Sequence, residues 1–520
     1  MTKNQKPEID INDEYQQRLV KLANLKKQGI DPYPARTNKN TAVADFLKDF
    51  DKLFKSQKEL ILAGRITSLR MQGGSCFLNI EDYSGKVQIF LRKDQVGVDD
   101  YKIFKENIDL GDFIEFSGKA FETKTKEPTL LADKFILLNK ALLPLPDQYY
   151  GLKDPDLRYR KRYLDLLVNP EVKKTFALRS QIIKLTRQYF DKYDFMEVDT
   201  PVLQSVAGGA TAQPFVTHHN ALDIDLYLRV APELYLKRLI IGGYDKVYEI
   251  ARCFRNEGID HQHNPEFTQI EAYWAYQDYD FLMKFTENFF EFLVKEINNG
   301  DTKIKNGKDT IDFKAPYPRL DFKEELDKAL KIDLDKTNDK DLIAIAKKAK
   351  LPVESSWGRG KLLDELYKKF VRLKITQPAF IINHPLELSP LSKKIPGREN
   401  YVERFQLVVK TAEMCNAFSE LNDPLDQEER FVEQKKLREA GDEEAQGADA
   451  EFVEALKHGM PPTAGIGIGI DRLVMMLGDI ENIKEVILFP TMRPKILNAE
   501  SGEYKVEYGD VKMKVTRAKK

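Results

Sequence analysis

The chain has 520 residues, 42% hydrophobic and 32% charged, with a formal net charge of −1 at pH 7. That length exceeds one hydrophobic core, so roughly two to four domains are expected, and the near-neutral balance neither supports nor excludes a nucleic-acid partner, whose basic surface would have to be local. Cys76, Cys253 and Cys415 stand in no paired spacing, which implies neither a disulfide framework nor a zinc site, and no apolar run is long enough to span a membrane, so a reducing, cytoplasmic setting is expected.

The opening MTKNQKPEIDINDE is polar and carries no apolar export or anchoring segment. Residues 12–29 read as an amphipathic helix with Leu19, Leu22 and Leu25 apolar and a stop at Gly29, inside an N-terminal helical extension over residues 1–55. Over residues 56–146 the runs ILAGRITSLR, CFLNIED, KVQIFL, DFIEFSGKAFE and FILLNKAL are separated by Gly-rich or charged turns. Their spacing of about 8–12 residues favours a small closed β-barrel. Leu143-Pro144-Leu145-Pro146 forms a stiff exit into a linker, residues 147–168. Residues 169–497 mix helices and strands in a larger domain, with a Lys/Asp/Leu-rich helical insertion at about 300–376. In the tail, 498–520, Tyr504, Val506 and Tyr508 and then Val511, Met513 and Val515 alternate about Gly509-Asp510, the pattern of a hairpin.

Four stretches of the larger domain stand out, three for their chemistry and the last as structural. VYEIARCFRNEGIDHQHNPEFTQIEAYWAY (247–276) is strand, polar loop, strand. A side-chain period of two puts Arg255 with Glu257 on one face of the first run, and Phe267, Gln269, Glu271 and Tyr273 on one face of the second. Such a row is costly to bury unless a charged ligand satisfies it, and it suits a phosphorylated, base-bearing ligand together with a cationic one. In YVERFQLVVKTAEMCNAFSELND (401–423), Asn416, Phe418 and Glu420 share a face, whereas Glu413 is out of phase and needs a bend to join them. Gly465-Ile-Gly-Ile-Gly-Ile-Asp-Arg472 lacks the dinucleotide fingerprint spacing. Its alternating glycines leave one strand face bare for a flat group, and Arg472 follows at a helix start favourable to anions. Phe195-Met-Glu-Val-Asp-Thr-Pro-Val-Leu203 reads as a strand ended by proline.

In this order the stretches resemble the signature motifs of class II aminoacyl-tRNA synthetases, FMEVDTPVL matching the first, CFRNEGIDHQHNPEFTQIEAY the second and GIGIGIDR the third. The runs at 208–239, 383–393 and 415–427 narrow the resemblance to the lysyl-tRNA synthetase family, over roughly residues 12 to 495. It implies an α+β multidomain chain, an N-terminal OB-type β-barrel that holds the anticodon followed by a catalytic antiparallel sheet flanked by helices, and a homodimer built through the first motif, Pro201 included. The implied substrates are L-lysine, ATP and tRNA(Lys), with Mg²⁺ as cofactor and no membrane partner. A catalytically impaired, synthetase-like RNA-binding or regulatory protein is the alternative; Arg255, Glu257 and Arg472, which it would be expected to have lost, are all present.

The resemblance also implies roles. Arg255 bridges the α-phosphate and the lysine carboxylate, Glu257 meets the adenine amino group, Phe267 stacks on one adenine face, and Arg472 covers the other and reaches the γ-phosphate. His263 and Asn264 line the triphosphate, and Glu413 resembles a Mg²⁺ ligand. Gln406 stands where the family usually has a second metal-binding glutamate. Glu233 and Glu271, with the Gly209 backbone, match contacts to the lysine α-ammonium; Asn416 holds the carboxylate, Phe418 the methylenes, and Glu420 with Tyr273 the ε-ammonium. In the barrel, Arg70, Phe77, Gln88 and Glu127 occupy positions like those that read a U-rich anticodon, by stacking and polar edge contacts.

Overall fold

A computed structural model of the chain describes residues 11–146, 152–210, 212–354, 357–439, 449–493, 495–497, 504–508 and 511–515. They fall into two compact units, Met1–Lys153 and Asp154–Lys520.

In the first unit, β1 (Leu60–Gln72), β2 (Ser75–Asp82), β3 (Gly85–Arg92), β4 (Phe113–Glu122) and β5 (Pro128–Asn139) close a barrel in the order β1-β2-β3-β5-β4. Alternation sorts the side chains: Cys76, Leu78 and Ile80 of β2 and Val87, Ile89 and Leu91 of β3 are buried, while Phe77, Asn79, Gln88 and Phe90 between them are half-exposed. The β3–β5 pair is parallel, and such a pair needs a crossover, supplied by helices Lys93–Val96 and Val98–Asn107. The helices Ile11–Lys27, Val43–Lys48 and Phe50–Ser56 do not form a separate extension. Leu25, Val43, Phe46 and Phe50 pack into the same core as Leu62, Ile80 and Ile89, so the expected boundary at residue 55 divides nothing.

The second unit contains β6 (Met196–Glu197), β7 (Leu203–Gln204), β8 (Val216–His219), β9 (Ile224–Leu228), β10 (Lys246–Phe254), β11 (Glu266–Ala275), β12 (Lys303–Asn306), β13 (Asp309–Asp312), β14 (Arg319–Asp321), β15 (Ala379–Pro385), β16 (Lys394–Ile395), β17 (Arg398–Val409), β18 (Ala412–Ser419) and β19 (Thr463–Gly469), followed by β20 (Lys495–Leu497), β21 (Tyr504–Tyr508) and β22 (Val511–Val515). The main sheet runs β14-β15-β17-β18-β19-β11-β10-β6, with β16 beside β17. It is antiparallel except at its two edges, where β14 pairs with β15 and β6 with β10 in parallel.

Three expectations are corrected here. The stretch 147–168 is not all linker, because Pro155–Arg160 and Arg162–Val168 are helices of the second unit, held by Arg162 to the backbone oxygens of Lys484 and Leu488; residues 147–151 lie outside the described residues. The insertion at 300–376 is not wholly helical: it opens with the β12–β13 hairpin and with β14, which joins the main sheet, before helices Phe322–Leu330, Asp339–Lys348 and Arg359–Phe370. The tail hairpin is present as β21–β22, but β20 extends it to a three-stranded sheet that begins before residue 498; Gly509-Asp510 lies outside the described residues.

The main sheet has two chemically different faces. Ile270 and Ala272 of β11, Ala464, Ile466 and Ile468 of β19, Cys415 and Ala417 of β18, and Phe405 and Leu407 of β17 share one core with helices Pro170–Asp191 and Tyr279–Ile297. Each fully buried Ile, Leu or Phe side chain of this layer contributes about 1.5–3 kcal/mol. The intervening residues point the other way, and that face is the candidate site.

Candidate active site

The polar face of the sheet floors a cavity of about 620 Å³. Phe267, Gln269, Glu271 and Tyr273 all line it, as the alternation of β11 requires. Arg255 and Glu257 line it too, though not from a strand face: β10 ends at Phe254, and both residues belong to the loop beyond it. The Arg255 guanidinium lies 5.0 Å from the centre of the Phe267 ring, and its Nε is buried without a hydrogen-bond partner. Across the loop, His263 Nδ1 lies 2.9 Å from Asp260 Oδ2, and Asn264 donates to the Glu266 carbonyl at 2.6 Å.

Glu413 reaches the cavity through a bulge. Leu407 pairs with Cys415 but Val408 pairs with Glu413, so Met414 is the extra residue that restores phase. The expected bend is this one. Glu413 Oε2 accepts from Gln406 Nε2 at 3.1 Å, while Gln406 Oε1 is buried with no partner. Arg472 Nη1 donates to the Glu413 carbonyl at 3.0 Å, and burial pulls the Arg472 guanidinium below its usual range.

At the other end, Asn416 Oδ1 accepts from Arg404 Nε at 2.7 Å, which turns the Asn416 amide NH₂ outward as a donor. Gly209 has φ +88, and a Cβ there would stand 3.0 Å from that of Glu233. Glu271 Oε1 accepts from Gln269 at 2.6 Å and Oε2 from Tyr273 at 3.4 Å. Burial, aided by the Glu233 charge, pushes the Glu271 carboxyl well above the carboxylate range. Burial likewise raises Glu420.

Glu420 is 2% exposed, ion-paired to Lys237 and set against the cavity-lining residues Tyr273 and Gly465. The bare face of Gly465 is therefore not open to a flat ligand: a Cβ there would meet Glu420 Oε1 and would stand 2.5 Å from Tyr273 Cε1. At Gly467 the nearest side-chain atom is 3.8 Å away, so the open part of that face begins one alternation later.

Sequence reading missed Lys237, Arg404 and His384. His384 lines the cavity, and burial, aided by the Arg404 charge, drives its imidazole down to about 3, so it is neutral. For Lys237 a signal existed, since it follows Glu233 by four residues and so shares its helix face. On the barrel, Arg70 pairs with Phe77 across β1–β2, and Gln88 donates to Glu127 at 3.3 Å, so the four expected residues share one outer face. Phe90, not anticipated, stacks on Phe77 with ring centres 4.2 Å apart, and Phe121 lies 5.9 Å beyond it.

Residues 154–493 match the model of the tRNA synthetases class II (D, K and N), and residues 60–138 match that of the OB-fold nucleic acid binding domain. The chain belongs to the class II tRNA synthetases (D, K and N). Among curated relatives, this synthetase is similar to the lysine–tRNA ligase of Clostridium novyi, 47% identical over 494 residues, covering 94% of this chain and 96% of that one. The lysine–tRNA ligase of Bacillus subtilis is 46% identical over 492 residues, covering 94% and 98%, and that of Thermosipho africanus 44% identical over 498 residues, covering 95% and 98%.

Proposed function

We propose that this synthetase is an ATP-dependent lysine–tRNA ligase, which forms lysyl-adenylate and pyrophosphate and then passes lysine to the 3′-terminal adenosine of tRNA(Lys). The observation that carries the reading is the polarity of the cavity. Guanidinium groups (Arg255, Arg472) and the Phe267 ring line one part, while the carboxylates Glu233 and Glu271 line another, with Glu420 set against Gly465 beside them. An anionic, base-bearing ligand suits the first, a diamino acid the second. The activity of the lysine–tRNA ligase relatives points the same way.

The lysine carboxylate attacks the α-phosphorus in line and pyrophosphate leaves. Both reactants are already reactive, so catalysis rests on positioning and charge stabilisation, with no covalent nucleophile on the protein. Arg255 offers a fork of fixed N–H donors to two anions at once. Its unpartnered Nε is poised for this. Phe267 takes the adenine ring, Glu257 its amino group, and Arg472 the opposite face and the γ-phosphate, with His263 and Asn264 beside the triphosphate. Asn416, fixed by Arg404, donates to the lysine carboxylate. Glu233, Glu271 and the Gly209 backbone take the α-ammonium, Phe418 the methylenes, and Glu420 with Tyr273 the ε-ammonium. Transfer to tRNA follows, with Arg70, Phe77, Gln88 and Glu127 on the anticodon.

Among the described residues no group of three or more His, Cys, Asp or Glu could hold a metal by itself. The Glu413 carboxylate and the orphaned Gln406 Oε1 nevertheless fit a hard cation whose other ligands are substrate phosphates. Mg²⁺ held there would neutralise phosphate charge. A homodimer is supported by the exposed Met196 on edge strand β6, with Val202 and Leu203 also exposed in the first motif. Among the described residues no helix is long and apolar enough to cross a membrane, and a cytoplasmic setting goes with this reading. ATP–pyrophosphate exchange across the twenty amino acids, with and without tRNA, tests it. Exchange with lysine alone is expected, and exchange with another amino acid instead would overturn it.

A further inference from the structure

Lys237 is fully buried, and its ammonium sits between two carboxylates. Nζ lies 2.6 Å from Glu233 Oε1, on the same helix face, and pairs with Glu420 Oε2 beyond the end of β18. Three aromatic rings surround it: Phe418 at 5.4 Å, Phe452 at 5.8 Å and Tyr273 at 5.9 Å. This ion pair reaches no solvent, and replacing such a buried charge pair by apolar residues is often neutral or stabilising. Stability alone therefore gives no reason for it. Glu420 Oε1, in contrast to Oε2, is buried with no partner, directly against Gly465, which lines the cavity.

We propose that Lys237 is a positioning residue for amino-acid recognition: its ammonium takes one oxygen of Glu233 and one of Glu420 and leaves the others for a ligand with two ammonium groups. Three buried carboxylates, Glu233, Glu271 and Glu420, share one internal ammonium, so carboxylate oxygens remain for an α- and an ε-ammonium. Arg404 on β17 and Arg255 beyond β10 are the other cations acting on these acids, while Glu249 of β10 and the Tyr273 hydroxyl of β11 complete the titratable set. Burial by itself would pull the Lys237 ammonium down, but Glu233 and Glu420 hold it above its ordinary value, so it stays charged. The inference rests on the lysine reading given above.

The test is ATP–pyrophosphate exchange by the full-length protein across a pH series, with Lys237→Met. The variant is expected to raise the KM for lysine about tenfold or more while the KM for ATP stays within about twofold. Without the internal cation the three acids hold protons more tightly, so the acid limb of kcat/KM for lysine is expected to move up by about one pH unit. A merely structural role would move both KM values together and leave the limb in place, and that result overturns the proposal, as does a variant indistinguishable from wild type. If Lys237→Met does not fold, the double variant with Glu420→Gln decides. Because Glu233 also loses its partner, the double variant should raise the KM for lysine above that of Glu420→Gln alone while the KM for ATP stays within about twofold, and equal shifts in both, or none, overturn the proposal. Wild type that exchanges with another amino acid sinks the lysine reading itself. Wild type that uses lysine while Lys237→Met matches it sinks only this inference.

Discussion

Asp471 and Arg179 form an ion pair at 2.6 Å between residues 292 positions apart in the chain. The second oxygen of Asp471 accepts from the Thr268 N–H at 2.7 Å, and Arg179 also donates to Thr268 Oγ1 at 3.0 Å. One carboxylate thus fixes both the start of β11, next to Phe267, and the helical turn that carries Arg472. Breaking a buried pair strands the remaining charge, so Asp471→Asn is expected to lower the unfolding free energy by about 3 kcal/mol. Its KM for ATP should rise more than its KM for lysine. Urea unfolding and steady-state exchange check both, and an unchanged KM for ATP in the destabilised variant would detach this anchor from nucleotide binding.

Glu420→Gln keeps the shape of the side chain and removes its charge. Loss of a charged hydrogen bond to a buried ammonium is expected to reduce lysine activation by roughly 10²-fold or more. Exchange kinetics with lysine at near-wild-type efficiency would refute the role given to this carboxylate.

The same carboxylates predict a pH dependence. Burial raises Glu271 and Glu420 above the ordinary carboxylate range. On the proposed reading lysine binds their ionised forms, so its binding should tighten as pH rises through their folded-state values, with proton release on binding. A raised carboxyl stabilises the empty fold below its unfolded pKa, and that contribution is lost as pH rises through the folded value. The stability of wild type relative to Glu420→Gln should therefore fall over the same interval. Calorimetry in buffers of different ionisation enthalpy measures the protons, and zero release would contradict the assignment.

Gln406→Glu would place a second carboxylate beside Glu413. Cation affinity follows ligand charge, so the half-saturating Mg²⁺ concentration is expected to fall by roughly tenfold. A calorimetric Mg²⁺ titration in the presence of a non-hydrolysable ATP analogue reads this without turnover. Equal affinities in the two proteins would show that position 406 does not face the ion.

On the barrel, Phe77, Phe90 and Phe121 form a row of rings on the outer face. Stacking of a base on an aromatic contributes about 1–3 kcal/mol, so Phe90→Ala should weaken tRNA(Lys) binding by about tenfold or more. Pyrophosphate exchange without tRNA should be untouched. A filter-binding isotherm identical to wild type would remove Phe90 from the platform.

What could be read from the sequence was what repeats locally. The cavity row of β11 was legible because a long strand alternates with period two, and the phase error at Glu413 announced the bulge at Met414. The placement of Arg255 was misjudged because β10 stops at Phe254, and a loop backbone has no period to extrapolate. The β12–β13 hairpin was masked by the Lys- and Asp-rich composition it shares with the helices after it. The pairing of Lys237 with Glu420 had no sequence signature, since only the sheet and the helix Glu233–Ile241 together bring them into contact.

Strand β19 connects the two ends of the cavity. Gly465 lies against the Glu420 carboxylate and Gly469 against Arg472, four residues further on. At about 3.3 Å per residue that interval is roughly 13 Å, fixed by backbone hydrogen bonds to β11 and β18 on either side. The strand is therefore a ruler: the spacing between the carboxylate end and the guanidinium end of the cavity is set by main chain rather than by side-chain packing.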